Sequence, residues 1–168
     1  MALRAYTNKE SDDIFPLLSR YFEQVAMAKV SASALEAKEM GYLKVDDVII
    51  ANPNELLYVA KQQALTLLDS GFRAPLDLTF KVVGKAGYAN IMAQIANLHE
   101  GGFISDHDKY IVDRLARVMT VSRVEENTVV ESQTILDLER KYFVELLGTQ
   151  KTQDRIEHTL KKGKPLRN

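Results

Sequence analysis

Three histidines, a pair of aspartates around one of them and a run of lysines near the C-terminus are the residues best suited to chemistry. Asp106-His107-Asp108 could hold a divalent cation, or pair a carboxylate with an imidazole to make a base. The same residues follow Ser105, and Ser-x-x-Asp opens helices: hydroxyl and carboxylate satisfy free N–H groups, and acidic side chains suit the positive end of the helix dipole. The helix-start reading is the simpler one. His99 falls at a helix C-terminus ahead of Gly101, where a cation suits the dipole, and His158 lies in a basic final helix as a surface or packing residue. No serine sits in a nucleophile elbow beside a histidine. Gly84-Lys85-Ala86-Gly87 lacks the spacing and the strand-loop-helix setting of a phosphate-binding loop or dinucleotide fingerprint. Asp12-Asp13, Asp46-Asp47 and Glu125-Glu126 are adjacent in sequence, so their carboxylates splay into solvent. The expectation is therefore no catalytic residue and no metal site. The basic tail, residues 151–168, carries six basic and two acidic side chains, +4 against −5 for the rest. Such a tail could neutralise phosphates or merely solubilise the terminus.

The elements that must position these residues are mostly helices. With 168 residues, 46% apolar and 27% charged, the chain can bury a real core. It has no cysteine, which removes disulfides and thiolate metal sites and fits a cytoplasmic setting. No apolar run is long enough for a membrane span, no secretory leader is visible, and a net charge of −1 argues against nucleic acid. From Asp12 to Lys29, apolar residues Ile14, Leu17, Leu18, Tyr21, Phe22 and Val25 recur at intervals of three and four, one buried helical stripe. Ser33 and Glu36 form a capping box for a short helix ending at Gly41. Val48-Ile49-Ile50 reads as a brief extended piece.

Asn52-Pro53-Asn54-Glu55 starts a helix with Leu56, Leu57, Ala60, Ala64, Leu67 and Leu68 on one face, ending near Gly71. From Pro75 to Val83 the period becomes two, a strand that needs a partner. A turn at 84–87, a helix from Tyr88 to His99 and one from Ser105 to Met119 follow. Asn127 and Thr128 mark a turn before a long helix from Val130 to Leu147. Thr152 caps a last helix to Lys162, stopped by Gly163. The expected fold class is mainly α: a single helical domain over 1–168 with six to seven helices and one or two short extended segments.

Two segments carry a family resemblance. Residues 28–43, AKVSASALEAKEMGYL, resemble the "S-A-x-E-A-x-x-x-G-L" segment that follows the core of the crotonase (enoyl-CoA hydratase/isomerase) family. Residues 136–168, LDLERKYFVELLGTQKTQDRIEHTLKKGKPLRN, resemble that family's C-terminal helices, with Glu139 and Phe143 on the long helix and Lys162 to Pro165 at the "K-R-x-P" stop. The closer similarity is to bacterial fusions of an amino-terminal 3-hydroxyacyl-CoA dehydrogenase with a carboxy-terminal hydratase.

The resemblance implies the C-terminal helical region of a fatty-acid β-oxidation enzyme. It would help oligomer assembly and border the acyl-CoA site without being catalytic alone. It further implies a homo-oligomer, an upstream hydratase core and dehydrogenase domain as partners, and coenzyme A thioester and NAD as ligands of the whole enzyme. Lys162 falls at the position that meets the CoA phosphates. The stop motif's arginine is Gly163 here, and an adenine-contacting aromatic is Thr159. The oxyanion-hole loops, catalytic glutamates and NAD fingerprint do not occur in this chain, and residues 72–130 exceed what a simple crotonase carries between the two segments. The alternative is an independent helical interaction module sharing only the capping pattern.

Overall fold

The computed structural model describes residues 1–8, 13–74 and 78–168, so the expected helix start at Asp12 and the beginning of the strand at Pro75 lie outside the described residues. The chain is mainly α. Among the described residues the elements run α1 (Ala2–Thr7), α2 (Phe15–Ala26), α3 (Ala34–Glu39), a 3-10 turn (Pro53–Glu55), α4 (Leu56–Asp69), β1 (Thr79–Lys81), α5 (Gly84–Glu100), α6 (Asp106–Thr120), β2 (Val129–Glu131), α7 (Ser132–Leu147) and α8 (Gln150–Lys162). No helix among them is long and apolar enough to cross a membrane. The chain divides into two units, Met1–Lys29 with Thr79–Asn168, and Val30–Leu78.

In the larger unit, α5 packs on α6, α6 on α7 and α2, and α1 on α2. The α2 stripe read from the sequence is buried at Ile14, Leu18, Tyr21 and Phe22. These side chains share one apolar core with Phe80, Val82, Val83, Ile91, Ile95, Val112, Ala116 and Met119. Ala116 has no exposed surface.

The period-two segment finds its partner in a stretch the sequence pattern assigned to a turn and a helix start. β1 pairs antiparallel with β2, Phe80 opposite Val130. Phe80 and Val130 point inward while Thr79, Lys81, Val129 and Glu131 face out. As a result α7 begins at Ser132 rather than Val130, since Val130 is spent in the ladder. The turn expected at 84–87 is instead the first turn of α5, which adds Gly84 to Gly87 to the expected helix. Helix α1 had no counterpart in the sequence reading.

In the smaller unit the Ser33 cap forms: its hydroxyl accepts from the N–H of Glu36 at 3.1 Å, and the Glu36 carboxylate reaches back to the N–H of Ala32 at 2.5 Å. Gly41, at φ +76, ends α3 in a Schellman motif, with Tyr42 N–H donating to the Ala37 carbonyl and Gly41 N–H to that of Lys38. Gly71 repeats the motif at the end of α4, with Phe72 N–H on the Leu67 carbonyl. Asn52 caps the 3-10 turn through the N–H of Asn54 at 3.1 Å. Val48-Ile49-Ile50 belongs to no ladder. None of the fourteen residues of α4 is buried.

Candidate functional site

The Asp-His-Asp triplet sits where its helix-start reading puts it. Ser105 and Asp108 form a complete capping box at the start of α6: the Ser105 hydroxyl accepts from the Asp108 N–H and the Asp108 carboxylate accepts from the Ser105 N–H. The three side chains diverge. Asp106 turns to His99, with His99 Nε2 and Asp106 Oδ1 2.7 Å apart. His107 is buried, its Nε2 3.0 Å from the Thr152 hydroxyl and its ring stacked near Tyr110. Asp108 accepts from the Arg155 guanidinium at 2.7 Å.

The His99–Asp106 pair is a carboxylate–imidazole couple of the kind that activates a hydroxyl lying on the other ring nitrogen. Here that nitrogen, Nδ1, faces Lys109 Nζ at 3.4 Å and Glu100 at 3.5 Å, so no nucleophile is in place. Among the described residues no three His, Asp or Glu side chains are grouped to hold a metal ion.

Thr152 does not cap α8. Thr149 does, accepting from the Thr152 N–H, which frees the Thr152 hydroxyl for His107. The same corner holds the last residue of the chain. The Arg155 guanidinium donates to the Asn168 side chain at 2.7 Å and to its main-chain oxygen at 3.2 Å, and the Ser105 hydroxyl donates to that oxygen at 3.1 Å. Burial, then the charges of Arg155 and Lys151, hold the His107 imidazole below its usual range. For Asp108 burial works upward, but the Ser105 N–H and the Arg155 guanidinium outweigh it and keep the carboxyl below the usual value.

A second polar cluster joins α5, α6 and α7. Asp113 accepts from the Tyr88 hydroxyl, from Arg117 at 2.9 Å and from Arg114 at 2.8 Å. Glu145 accepts from Arg114 at 2.6 Å and from the Tyr110 hydroxyl at 2.9 Å, and the Arg114 guanidinium lies 3.5 Å above the Tyr110 ring. Burial, then the bond to Asp113, pushes the Tyr88 phenol up to about 12. All four charged groups here have partners, so the cluster reads as a clamp between helices. The i,i+4 spacing of Asp113 and Arg117 is its one visible sign in the sequence.

Lys162 is exposed on the last turn of α8, just before Gly163 turns into the left-handed region at φ +65. It lines an open depression of about 210 Å3 with Asp154, Glu157, His158, Lys161 and Leu166. Lys161 is engaged by Glu157. The depression thus brings Lys162 together with His158 and the carboxylates of Asp154 and Glu157.

Large apolar side chains stand in solvent on α7 and α8, among them Leu136, Phe143, Val144, Ile156 and Leu160. A shallow groove of about 380 Å3 runs beside Leu136 and Phe143, flanked by Glu139 and Arg140.

With this geometry described, sequence comparison gives one strong similarity. The chain is 46% identical over 147 residues, 88% of its length, to a Bacillus subtilis (strain 168) protein described as a probable 3-hydroxyacyl-CoA dehydrogenase. The chain spans only 19% of that protein's length. No protein-family model and no solved structure matches the chain.

Proposed function

We propose that this chain serves as a helical region of a fatty-acid β-oxidation enzyme, a 3-hydroxyacyl-CoA dehydrogenase that also carries an enoyl-CoA hydratase core. The similarity over 88% of the chain to a probable 3-hydroxyacyl-CoA dehydrogenase carries the reading. Its role would be assembly and the edge of the acyl-CoA site, where Lys162 lines an open depression at the end of α8. The exposed apolar side chains of α7 and α8 support an assembly role: buried against a second subunit, each leucine or phenylalanine contributes ~1.5–3 kcal/mol.

A dinucleotide is held by a strand-to-helix turn with three spaced glycines in a parallel unit. Gly84 to Gly87 does follow a strand and open a helix, contrary to the expectation, but it has two glycines rather than three and its strand pairs antiparallel with β2. The hydride chemistry would belong to other parts of the enzyme. Coenzyme A is a different matter, because its phosphates require only well-placed cations. Lys162 would supply one, with Lys164 and Arg167 of the tail adding to the local field.

Calorimetric titration with coenzyme A, run on the wild type and on Lys162→Ala, tests the phosphate role. Saturable binding that weakens at least several-fold in the variant is the expected result. Equal heats from both proteins would remove Lys162 from the site, and no heat from either would leave the chain an assembly element.

A further inference from the structure

The end of α5 and the start of α6 bring three side chains together. Asp106 and Lys109 stand about one helical turn apart and share a face of α6. Gly102, at φ +72, turns the chain back after α5, and His99 comes to lie against that face. Its Nε2 is 2.7 Å from the Asp106 carboxylate, and its Nδ1 is 3.4 Å from Lys109 Nζ. A carboxylate beside Nε2 fixes the ring proton there and leaves the Nδ1 lone pair toward the amine. Orienting carboxylate, base and amine thus stand in the order that nucleophilic catalysis requires. The Asp106 side chain is 90% exposed and Lys109 is half-buried, so an acyl donor in solution can reach the amine.

We propose that Lys109 is an acyl-acceptor site for thioesters, with His99 as its base and Asp106 as the positioning residue; acyl-CoA as the thioester rests on the reading above. As an ammonium Lys109 attacks nothing, but its neutral amine adds to a thioester carbonyl. The C–N bond forms, the nitrogen becomes positively charged, and His99 Nδ1 takes the proton that it sheds. The C–S bond then breaks with its electron pair on sulfur, and the imidazolium returns the proton to the thiolate. An amide on Lys109 and a free thiol result, and nothing is oxidised or reduced. The developing imidazolium lies between two carboxylates, Asp106 at 2.7 Å and Glu100 at 3.5 Å, which favour its charge. The His99 bond first, then the charges of Lys151 and Lys109, hold the Asp106 carboxyl below its usual range. Lys151, on the first turn of α8, is therefore an exposed cation beside the triad, suited to the phosphates of coenzyme A.

Acetylation rates of the individual lysines, read by peptide mass mapping, test the inference. The probes are acetyl-CoA and S-acetyl-N-acetylcysteamine, a thioester without the phosphates. With acetyl-CoA, Lys109 should react at least about 10-fold faster than the other lysines of the chain, and His99→Gln should erase that lead. Glutamine can still hydrogen-bond Asp106 but takes up no proton, so a merely structural role of His99 would survive the exchange. Asp106→Asn, at a side chain outside the core, should slow Lys109 several-fold and leave the other lysines unchanged. If Lys109 reacts no faster than the other lysines with either thioester, or keeps its full lead in His99→Gln, the inference is overturned. A lead that is larger with acetyl-CoA and shrinks in Lys151→Ala supports both the triad and the acyl-CoA reading. A lead as large with the small thioester supports the triad and counts against that reading alone.

Discussion

At Gly84 the backbone enters α5 with φ +54, and a Cβ built there would lie 2.4 Å from the carbonyl oxygen of Val124. The close approach has a purpose: the Lys85 N–H donates to that same carbonyl at 2.9 Å, and the Lys85 ammonium pairs with Glu125. Gly84→Ala combines a left-handed conformation, costing ~1–2 kcal/mol for a residue with a Cβ, with a clash against rigid backbone. Its unfolding free energy should fall by about 2–4 kcal/mol, read as a lower urea midpoint at unchanged slope. His107 gives a pH signature. Its folded-state value is depressed by burial, so the unfolded chain takes up the proton first as pH drops. The stability tied to neutral His107 is therefore complete above about pH 6.5 and is lost as pH falls toward the folded value. Denaturant titrations from pH 7.5 to 5.5 should show that decline, and His107→Gln, which can still bond Thr152, should flatten it. The Ser105 box was readable in the sequence, whereas Gly84 to Gly87 reads as a turn and is the first turn of α5. The burial of His107 was not readable, because Thr152 lies 45 residues away on another helix.

Between elements, the Asp113 cluster fastens α5, α6 and α7 more specifically than the apolar core does. Asp113 is the acceptor shared by Tyr88, Arg114 and Arg117, and the carboxyl is held below its usual range. Burial works upward, and the bonds from Arg117 and Tyr88 prevail. Asp113→Ala leaves Arg117 without its carboxylate and the half-buried Tyr88 hydroxyl without its acceptor, while Arg114 keeps Glu145, so a loss of about 1–2 kcal/mol is expected, reduced where Arg117 remains partly solvated. Acid should mimic the substitution. The contribution is present above the ordinary aspartate range near pH 4 and disappears as pH falls through the depressed value, so wild type and variant should converge in stability near pH 2. Thermal melts of both proteins across pH 7 to 2 would check this, and parallel curves would reject it. Helices of this kind were legible, because a period of three to four and capping residues are local signals. The pairing of Thr79–Lys81 with Val129–Glu131 was not, because a three-residue strand has too short a pattern to announce itself. Val121 ends α6 in the left-handed region at φ +52, although a β-branched residue disfavours that conformation. It is held there by burial in the core, which no local pattern encodes.

On the scale of the whole molecule, the exposed apolar side chains should govern behaviour in solution. Leu160, 82% exposed, and Phe143 lie on adjacent helices of the α7–α8 hairpin. Monomeric proteins seldom leave such patches open beyond a few hundred Å2. The chain alone should therefore self-associate, with a weight-average sedimentation coefficient that rises with concentration. Phe143→Ser with Leu160→Ser should return it to a monomer without altering its helical circular dichroism, since neither side chain contributes to the core. The α4 face provides the contrast. If Leu57→Asp with Leu68→Asp restores the monomer and the α7–α8 pair does not, then α4 is the surface between copies and the assembly role assigned to the C-terminal helices fails. A wild-type chain that sediments as a monomer at every concentration would remove homotypic assembly through both faces.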